Sequence, residues 1–280
     1  MRPTLTIIGC GNVGKSLGRL WHTHQTVSLH QVLNRTVDSA RQAIAFMGAG
    51  QAVAAYSDLL PSDLYLIAVP DEQIADCARM LAATGLLKRE SIVFHCSGAL
   101  PAHLMQDVIA SGAAVASAHP IRSFASPEQV IASFEGTWCG IEGASSALPT
   151  LERLFRAIGA RTVAINSSAK MLYHSAAVFA SNYLVTLADI ALEAYKQAGI
   201  PRETGLQMIA PLMRRTLDNL LAMGPEDALS GPVARGDWQT VETQYRAIAA
   251  WDEECANIYK QLANRTKAMA KRRRGIDHRQ

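Results

Sequence analysis

A glycine-rich loop near the start of the chain has the residue types and the spacing of a phosphate-binding turn. The run from Gly9 to Gly14 directly follows a short apolar stretch and has glycine at its first, third and sixth positions. Glycines at these positions permit a tight turn, let the backbone approach a pyrophosphate, and let the following helix pack closely on the strand. The pattern therefore predicts a dinucleotide site with the binding residues Gly9, Gly11, Asn12, Val13 and Gly14.

The same loop also satisfies the pattern of a P-loop, because Lys15 and Ser16 follow it. In that alternative Ser16 would hold Mg²⁺ for phosphoryl transfer, and an acidic residue would be needed at the end of a later strand. Asp71 meets this requirement only loosely. Gly11 favours the dinucleotide interpretation, since a P-loop does not require a glycine at that position.

The residues that follow the second apolar run indicate which dinucleotide is bound. An NAD-dependent enzyme places an Asp or Glu there to bind the ribose 2′-hydroxyl, whereas this chain has Asn34, Arg35 and Thr36. A guanidinium with neighbouring hydrogen-bond donors suits a 2′-phosphate. The sequence therefore predicts NADP(H), with Arg35 pairing with the phosphate or stacking on adenine, and with Asn34 and Thr36 donating hydrogen bonds.

Further candidate residues follow later apolar runs, where ligands of open α/β sheets bind. Val69 and Pro70 are expected to pack along the nicotinamide ribose, and Ser97 is expected to hydrogen-bond the carboxamide or the substrate. His119 is a candidate substrate-binding residue, and Arg122 is a candidate clamp for a substrate carboxylate.

Reduction of a carbonyl group requires a proton for the developing oxyanion, and two residues in the second half of the chain are candidates to provide it. Lys170 and His174 are four residues apart and share one face of a predicted helix. Either Lys170 is the proton donor and His174 orients it, or the roles are reversed. Ser181 continues this face and Asn182 is a secondary candidate, while Arg235 in a Gly and Pro loop is expected to reach substrate or cofactor phosphate.

Short apolar runs separated by helix-length segments are expected to position these residues. Such runs are typical of parallel strands joined by crossovers, so the first half predicts a doubly wound α/β sheet. The helix of the last crossover is expected from Ser146 to Ile158. The predicted strands are Thr4 to Ile8, Val27 to Leu33, Leu64 to Val69, Ser91 to His95, Ala114 to Ser117, Thr137 to Ile141 and Arg161 to Ile165.

No strand-like pattern follows Asn166, so the second half is predicted to be all helical. One helix is expected from Ser167 or Ser168 to about Ala198, ended by Gly199 and Pro201. The predicted domains are a dinucleotide-binding domain at 1–166, a helical substrate and dimerisation domain at 167–270, and a basic tail at 271–280. Further helices are expected at Arg202 to Met223, Asp237 to Ala250 and Trp251 to Lys271.

Composition excludes several classes of protein. With 280 residues, 49% hydrophobic and 18% charged, the chain is neither disordered nor collagen-like. The net charge of +3 arises in residues 265–280, and the rest of the chain has 20 basic and 23 acidic residues, which argues against nucleic acid as a partner. The five cysteines form no CxxC pair and the histidines lack metal-ligand spacing, so no metal is predicted. No signal peptide or uncharged membrane-spanning window was found, and a cytoplasmic protein is expected.

The motifs together resemble a family of bacterial Rossmann-like NADP oxidoreductases whose C-terminal helical domain has unknown function. The chain is more distantly similar to ketopantoate reductase, pyrroline-5-carboxylate reductase and the β-hydroxyacid dehydrogenases, and its helical part resembles the 6-phosphogluconate dehydrogenase C-terminal type. The segments that carry the resemblance are Gly9 to Gly14, Asn34 to Thr36, Ala68 to Asp71, His95 to Gly98, His119 and Pro120, the helix of Lys170, and Gly231 to Asp237.

The resemblance implies an NADPH-dependent reductase of a small, ketopantoate-like 2-oxo acid, with its site in a cleft between two domains and a homodimer formed through the helical domain. Two alternatives remain, an imine reductase of the pyrroline-5-carboxylate type and a non-catalytic NADPH-binding sensor. In ketopantoate reductase and the β-hydroxyacid dehydrogenases, the matching motif is a catalytic Lys followed four residues later by Asn. This chain keeps Lys170 but has His174 at the Asn position, so the resemblance does not identify the acid.

Overall fold

The computed structural model describes residues 2–273 of the chain. The predicted basic tail therefore lies outside the described residues from residue 274 onward. The chain divides into two compact units, Met1–Val178 and Phe179–Gln280. The division falls within a helix whose first turns pack on the sheet of the first unit, whereas the domain limits at residues 166 and 167 remain predictions.

The first unit is built on one sheet of eight strands in the order β3-β2-β1-β4-β5-β6-β7-β8. Strands β1 to β6 run parallel, while β7 runs antiparallel to β6 and parallel to β8. All seven predicted strands are present, and the short edge strand β3 was missed. The strands are β1 (Thr4–Ile8), β2 (Ser28–Leu33), β3 (Gln51–Val53), β4 (Leu64–Ile67), β5 (Ile92–His95), β6 (Ala114–Pro120), β7 (Trp138–Gly143) and β8 (Arg161–Ala164).

Helices cover the sheet and connect its strands, as expected for parallel pairing. Short 3₁₀ turns at Tyr56–Asp58, Asp71–Gln73, Ala102–Leu104 and Ser167–Ala169 complete the connections. The predicted α/β class is therefore confirmed. The helices are α1 (Asn12–Thr23), α2 (Val37–Met47), α3 (Ile74–Ala83), α4 (Gln106–Ala110), α5 (Pro127–Ala132), α6 (Leu148–Arg156) and α7 (Lys170–Ala180), the last of which ends beyond Val178.

Two hydrophobic clusters occupy the two faces of the sheet, which explains why the strand sequences are almost continuously apolar. Within β1, Ile7 belongs to one cluster and Ile8 to the other. Trp21 anchors the first cluster: its ring packs edge-on against Phe94 and Phe155 at centroid distances of 6.2 and 5.4 Å. Its indole N–H donates to the carbonyl of Leu154 at 3.1 Å, so the polar atom of this buried side chain is satisfied.

The prediction of one long helix from Ser167 to Ala198 is wrong in one respect, because the helix is interrupted at Ser181. The backbone there has φ −125° and ψ −71°, outside the helical region, and a separate helix α8 (Asn182–Gln197) begins after it. No Gly or Pro marks the break, so the residue pattern contained no signal for it. As a result, Ser181 does not extend the helical face that carries Lys170 and His174.

The second unit is helical throughout its described residues. The stretch Gly231 to Asp237 was predicted as a loop, but it contains a single helical turn, since Pro232 has a fixed φ suited to a first helical position. Asp237 caps the next helix as predicted, accepting a hydrogen bond from the Thr240 amide at 3.1 Å. The remaining helices are α9 (Arg202–Ala228, with a kink at Gly224), α10 (Pro232–Arg235), α11 (Trp238–Ala249) and α12 (Glu253–Arg273).

One helical segment of the described chain, Ser167–Gln197, is long and apolar enough to cross a membrane on length and composition alone. A single such segment is weak evidence, because core helices of other proteins pass the same test.

Candidate functional site

The glycine loop after β1 has a backbone that only glycine accommodates at its first position. Gly9 has φ +79°, a conformation that L side chains rarely adopt. A Cβ atom there would lie 2.2 Å from Cγ1 of Val69, which follows β4. The Gly9 amide donates to the carbonyl of Leu33 at 2.8 Å. The loop is therefore held between the ends of the strands that flank β1.

The start of α1 is suited to bind an anion. Gly11 is its N-cap, is exposed, provides no side-chain cap, and has open space where a side chain would stand. The backbone amides of the first helical turn are therefore not covered by a side chain of this residue, and they attract negative charge. Gly14 packs tightly, because a Cβ there would lie 3.1 Å from the Gly9 oxygen. Half-buried Val13 packs against the core, and Asn12 donates to the carbonyls of Phe124 at 2.9 Å and Ala125 at 3.1 Å.

The geometry at Ser16 argues against the P-loop alternative. Its side chain is fully buried, and its hydroxyl donates to the carbonyl of Asn12 at 2.7 Å within α1. A hydroxyl in this position is not directed toward a metal ion at the loop. The arrangement of the loop thus fits a dinucleotide pyrophosphate better than a Mg²⁺ nucleotide.

The residues after β2 divide into two that shape the loop and one that is free to bind. The Asn34 carboxamide oxygen accepts from the Cys10 amide at 2.6 Å, which ties this strand end to the glycine loop. Thr36 caps α2 by accepting from the Ser39 amide at 3.2 Å. Arg35 is exposed and has no hydrogen bond or ion pair within residues 2–273. Among the predicted residues here, Arg35 therefore has its charge available to a ligand.

A buried row of polar side chains crosses the middle of the sheet. In the strand register His95 of β5 pairs with Ser117 of β6, which pairs in turn with Glu142 of β7. Lys170, the first residue of α7, extends into this row, where its ammonium contacts the Ser117 hydroxyl and lies 2.9 Å from Oε1 of Glu142. The Lys170 and Glu142 side chains are 1% and 2% exposed. They form a salt bridge in the interior of the protein.

Glu142 has further hydrogen-bond donors that make its burial tolerable. Its Oε1 also accepts from the Ala102 amide at 2.8 Å, and its Oε2 accepts from the Ser167 hydroxyl at 2.6 Å. Burial raises the pKa of this carboxyl, but the Ser167 and Lys170 hydrogen bonds outweigh it and hold the pKa below its usual value. Burial lowers the pKa of the Lys170 ammonium, and Glu142 opposes that shift. The carboxylate thus keeps its charge at neutral pH and provides the counter-ion of Lys170.

Ser97 organises the loop after β5. Its hydroxyl donates to Oδ2 of Asp71 at 2.8 Å and accepts from the Leu100 amide at 2.9 Å. Its own amide donates to Nδ1 of His95 at 3.2 Å. Burial, aided by the charge of Lys170, lowers the pKa of His95 to about 3, so this imidazole is neutral. Ser97 therefore fixes the loop that carries Gly98 and has its hydroxyl engaged within the protein.

Two histidines lie beside Gly98, and a tyrosine packs on one of them. The His119 ring packs edge-on against Tyr173 and His174 at centroid distances of 5.6 and 5.7 Å. A Cβ atom on Gly98 would lie 2.5 Å from Nδ1 of His174 and 2.8 Å from Nε2 of His119. Nδ1 of His174 is buried and has no hydrogen-bond partner in the described part of the chain. Both histidine rings therefore pack directly against Gly98, which leaves no room for a side chain there.

The fold brings four predicted site residues together, and the other predicted residues lie elsewhere in the chain. Ser97, His119, Lys170 and His174 all belong to the first unit and lie on β5, β6, α7 and the loops between them. Arg122 instead binds the end of α5, so it is not included in the substrate site proposed below. Half-buried Val69 lies against Gly9, Pro70 is exposed beside it, and Ser181, Asn182 and Arg235 belong to the second unit.

Arg122 has a structural explanation for its position. One guanidinium nitrogen donates to the Ser133 carbonyl at 2.8 Å, and the other donates to the Ser133 hydroxyl at 2.9 Å. The guanidinium also lies 5.7 Å from the centre of the Phe134 ring. These contacts neutralise the carbonyl end of α5 and occupy both terminal nitrogens of the guanidinium, while its buried Nε has no partner in the described part of the chain.

Sequence reasoning missed Glu142, Ser117 and Tyr173. The only signal for Glu142 was a single acid within the apolar run of β7, and nothing in the pattern indicated that Lys170 would reach it. Ser117 and Tyr173 are ordinary residues of a strand and a helix until β6 and α7 pack together. Among residues 2–273, no group of three or more His, Cys, Asp and Glu side chains is arranged to hold a metal ion.

Comparison with domain families matches both parts of the chain. Residues 1–120 match a Rossmann-like domain, and residues 137–266 match a domain of unknown function, DUF2520. Comparison with curated proteins gives no match.

Solved structures resemble almost the whole chain. Protein TM1727 from Thermotoga maritima has 26% identity and a TM-score of 0.78, covering 96% of this chain and 99% of its own. BF3122 from Bacteroides fragilis, to which NADP oxidoreductase activity has been ascribed, has 21% identity, a TM-score of 0.74, and coverages of 95% and 98%. An imine reductase from Myxococcus stipitatus in complex with NADP⁺ has 18% identity, a TM-score of 0.61, and coverages of 99% and 96%. These likenesses establish the fold.

The buried salt bridge predicts a strong coupling between its two residues. Lys170→Met leaves the Glu142 carboxylate buried without its counter-ion, and we expect it to lower the free energy of unfolding by about 3–5 kcal/mol. The double variant Lys170→Met with Glu142→Gln contains no buried charge and should lose less than the single variant. Urea unfolding followed by circular dichroism measures both. Arg202→Met, which removes exposed ion pairs with Asp189 and Glu193, is the control and should cost about 1 kcal/mol or less. Equal losses in the single and double variants would contradict the coupling.

Proposed function

We propose that this chain, which combines a Rossmann-like domain with a DUF2520 domain, is an NADPH-dependent oxidoreductase. Its proposed substrate is a small 2-oxo acid of the ketopantoate type. The main support is that a phosphate-binding loop and a group of proton-bearing side chains follow parallel strands of the same sheet. The glycine loop follows β1, the Ser97 loop follows β5, and His119 lies at the end of β6. Loops at the carboxyl ends of parallel strands form the ligand crevice of such sheets.

The chain has residues suited to each part of NADPH. The amides of the loop from Gly9 to Gly14 bind the pyrophosphate, and Arg35 pairs with the 2′-phosphate. Val69 and Pro70 flank the nicotinamide ribose. The cofactor, when bound, supplies the hydride. The similarity to proteins named for NADP supports this choice of dinucleotide over NAD.

The residues around Gly98 supply the acid and the positive charge that carbonyl reduction needs. The Lys170 ammonium stabilises negative charge on the substrate oxygen and is the proton donor, while Glu142 holds it in place. His174 and His119, which pack against Gly98, orient the substrate. A cation in a water-poor interior acts more strongly on a developing oxyanion than it would in water.

Two further functions remain as alternatives. An imine reductase of the pyrroline-5-carboxylate type is supported by the likeness to the imine reductase from Myxococcus stipitatus. In that reaction a protonated imine requires less help from Lys170. A non-catalytic NADPH sensor would bind the cofactor through the same loop and oxidise none of it. Cytoplasmic location stays a prediction.

The cofactor assignment predicts a selective effect of Arg35. We expect Arg35→Ala to weaken NADPH binding by about tenfold or more, because a charge-assisted contact to the 2′-phosphate is worth roughly 1.5–3 kcal/mol. NADH binding should change little, since NADH has no such phosphate. Fluorescence titration with both nucleotides measures the two affinities. Arg41→Ala, on the exposed face of α2, is the control. Binding of neither nucleotide by the unaltered protein would refute the oxidoreductase proposal.

The catalytic assignment predicts that turnover and cofactor binding separate. The double variant Lys170→Met with Glu142→Gln should bind NADPH like the unaltered protein but reduce ketopantoate at least about a hundredfold more slowly, because the acid is lost. The absorbance of NADPH follows the reaction, and 1-pyrroline-5-carboxylate tests the imine alternative on the same sample. Lys196→Met, at an exposed ion pair, is the control. NADPH binding without oxidation by either compound in the unaltered protein would favour the sensor.

We further propose that the second unit associates with a second copy of the chain. Between residues 179 and 273 the fully buried apolar side chains are Leu192, Ile209, Ala256 and Ala270. A groove of about 520 Å³ between α8 and α9 is lined almost wholly by apolar side chains. Helices with so small a core require a partner surface, and exposed apolar patches of this kind mark such surfaces. The exposed apolar residues include Phe179, Val185, Leu206, Leu212 and Leu221.

The dimer proposal predicts a defined mass in solution. Size-exclusion chromatography with light scattering should give twice the chain mass of 30.2 kDa. Leu212→Glu, which places a charge in the groove, should produce monomers, whereas Met80→Glu on the first unit should not. A monomeric unaltered protein, or one that floats with lipid vesicles, would contradict association through this groove.

A further inference from the structure

The contact between His119 and Tyr173 determines which ring nitrogen of His119 is a donor. The phenol oxygen lies 3.0 Å from Nδ1 of His119. The two side chains come from β6 and α7, and their rings meet nearly at right angles, with an interplanar angle of 86°. Of the two nitrogens, Nδ1 therefore faces Tyr173, while Nε2 lies on the side of Gly98 and has no hydrogen bond within residues 2–273.

The direction of this hydrogen bond follows from the partners of the phenol. The Gly140 amide also donates a hydrogen bond to the phenol oxygen of Tyr173. A phenol that accepts from this amide can donate its own hydrogen to Nδ1 of His119. A neutral imidazole that accepts at Nδ1 carries its hydrogen on Nε2.

The charge states of both residues agree with this arrangement. Burial, followed by the nearby charges of His174 and Lys170, lowers the pKa of His119 to about 4, while Asp71 opposes the shift. The His119 ring is therefore neutral at physiological pH. Burial raises the pKa of Tyr173 to about 12, so the phenol keeps the hydrogen that it donates.

We infer that Tyr173 fixes His119 as a neutral donor through Nε2, so that this N–H group binds the oxygen of a neutral carbonyl group rather than a protonated imine. A carbonyl oxygen has lone pairs that accept from an N–H group. A protonated imine nitrogen has no lone pair, and its own N–H would face the N–H of His119. This inference rests on the proposed function and narrows its substrate class to oxo compounds.

This arrangement supports reduction of a carbonyl group with NADPH as the reductant. The hydride forms a C–H bond at the carbonyl carbon, the π electrons of the C=O bond move to oxygen, and NADPH becomes NADP⁺. The Nε2–H group of His119 donates to that oxygen throughout without losing its hydrogen. The oxygen takes a proton from the Lys170 ammonium to give the alcohol, and Lys170 regains a proton from water after the product leaves.

The tautomer can be measured without cofactor or substrate. In protein labelled with ¹⁵N-histidine, long-range ¹H–¹⁵N spectra distinguish the two neutral tautomers and the charged ring. The His119 signals are assigned by their loss in His119→Gln. We expect the form protonated at Nε2 at neutral pH. Protonation at Nδ1, or a charged ring, would overturn the inference whether or not the protein binds NADPH.

Kinetics test whether Tyr173 acts through His119. We expect Tyr173→Phe to lower kcat for ketopantoate about tenfold with little change in KM or NADPH affinity, because the donor loses its orientation. His119→Gln keeps an N–H donor near the position of Nε2 and should retain partial activity. In the His119→Gln background, Tyr173→Phe should cause no further loss. Tyr259→Phe, which removes a tyrosine hydrogen bond to Gln244 in the second unit, is the control.

Three kinetic outcomes would overturn the inference. One is an equal loss from Tyr173→Phe in both backgrounds, which would mean that Tyr173 does not act through His119. Another is faster reduction of 1-pyrroline-5-carboxylate than of ketopantoate, which would favour the imine as substrate. The third is NADPH binding without turnover of any 2-oxo acid. Failure to bind NADPH would refute the proposed function instead, and the tautomer measurement would still decide whether Tyr173 donates to His119.

Discussion

The salt bridge between Lys170 and Glu142 is the interaction on which the arrangement of the site depends. Charges as deeply buried as these persist only when they are paired and hydrogen-bonded, so each hydrogen-bond partner around them must be in place. The antiparallel register of β6 and β7 brings Ser117 opposite Glu142. The 3₁₀ turn before α7 contributes the Ser167 hydroxyl, and the loop after β5 contributes the Ala102 amide. Four segments of the chain are thereby joined around one buried ion pair.

This constraint also determines where α7 begins and which side chains it presents. With Lys170 held in the sheet, Tyr173 and His174 follow within one helical turn and meet His119 beside Gly98. Gly98 is required there, since a Cβ would collide with both histidine rings. The rings of His119 and His174 are thus positioned by a structural ion pair. In the function proposed above, the same pair supplies the charge that favours carbonyl reduction.

The shape of the glycine loop does not depend on this salt bridge. Its shape is local, because β1, the loop and α1 are consecutive in the chain, and its contacts to Leu33 and Val69 come from the strands that flank β1. Asn34 and Thr36 stabilise the loop and α2, which leaves Arg35 as the exposed cation beside them. The proposed cofactor-binding residues and the proposed proton donor therefore lie in different parts of the first unit, joined by the parallel strands.

The sequence by itself determined the strands β1, β2 and β4 to β8, the glycine loop and the cap at Asp237, because these features depend on residues close together in the chain. It also pointed to Lys170 and His174 by their helical spacing. Only the tertiary structure decided that Glu142 would be the partner of Lys170 and that Tyr173 would meet His119, since these contacts join residues far apart in sequence. The break at Ser181 and the use of Arg122 at the end of α5 likewise follow from packing, which no local pattern encodes.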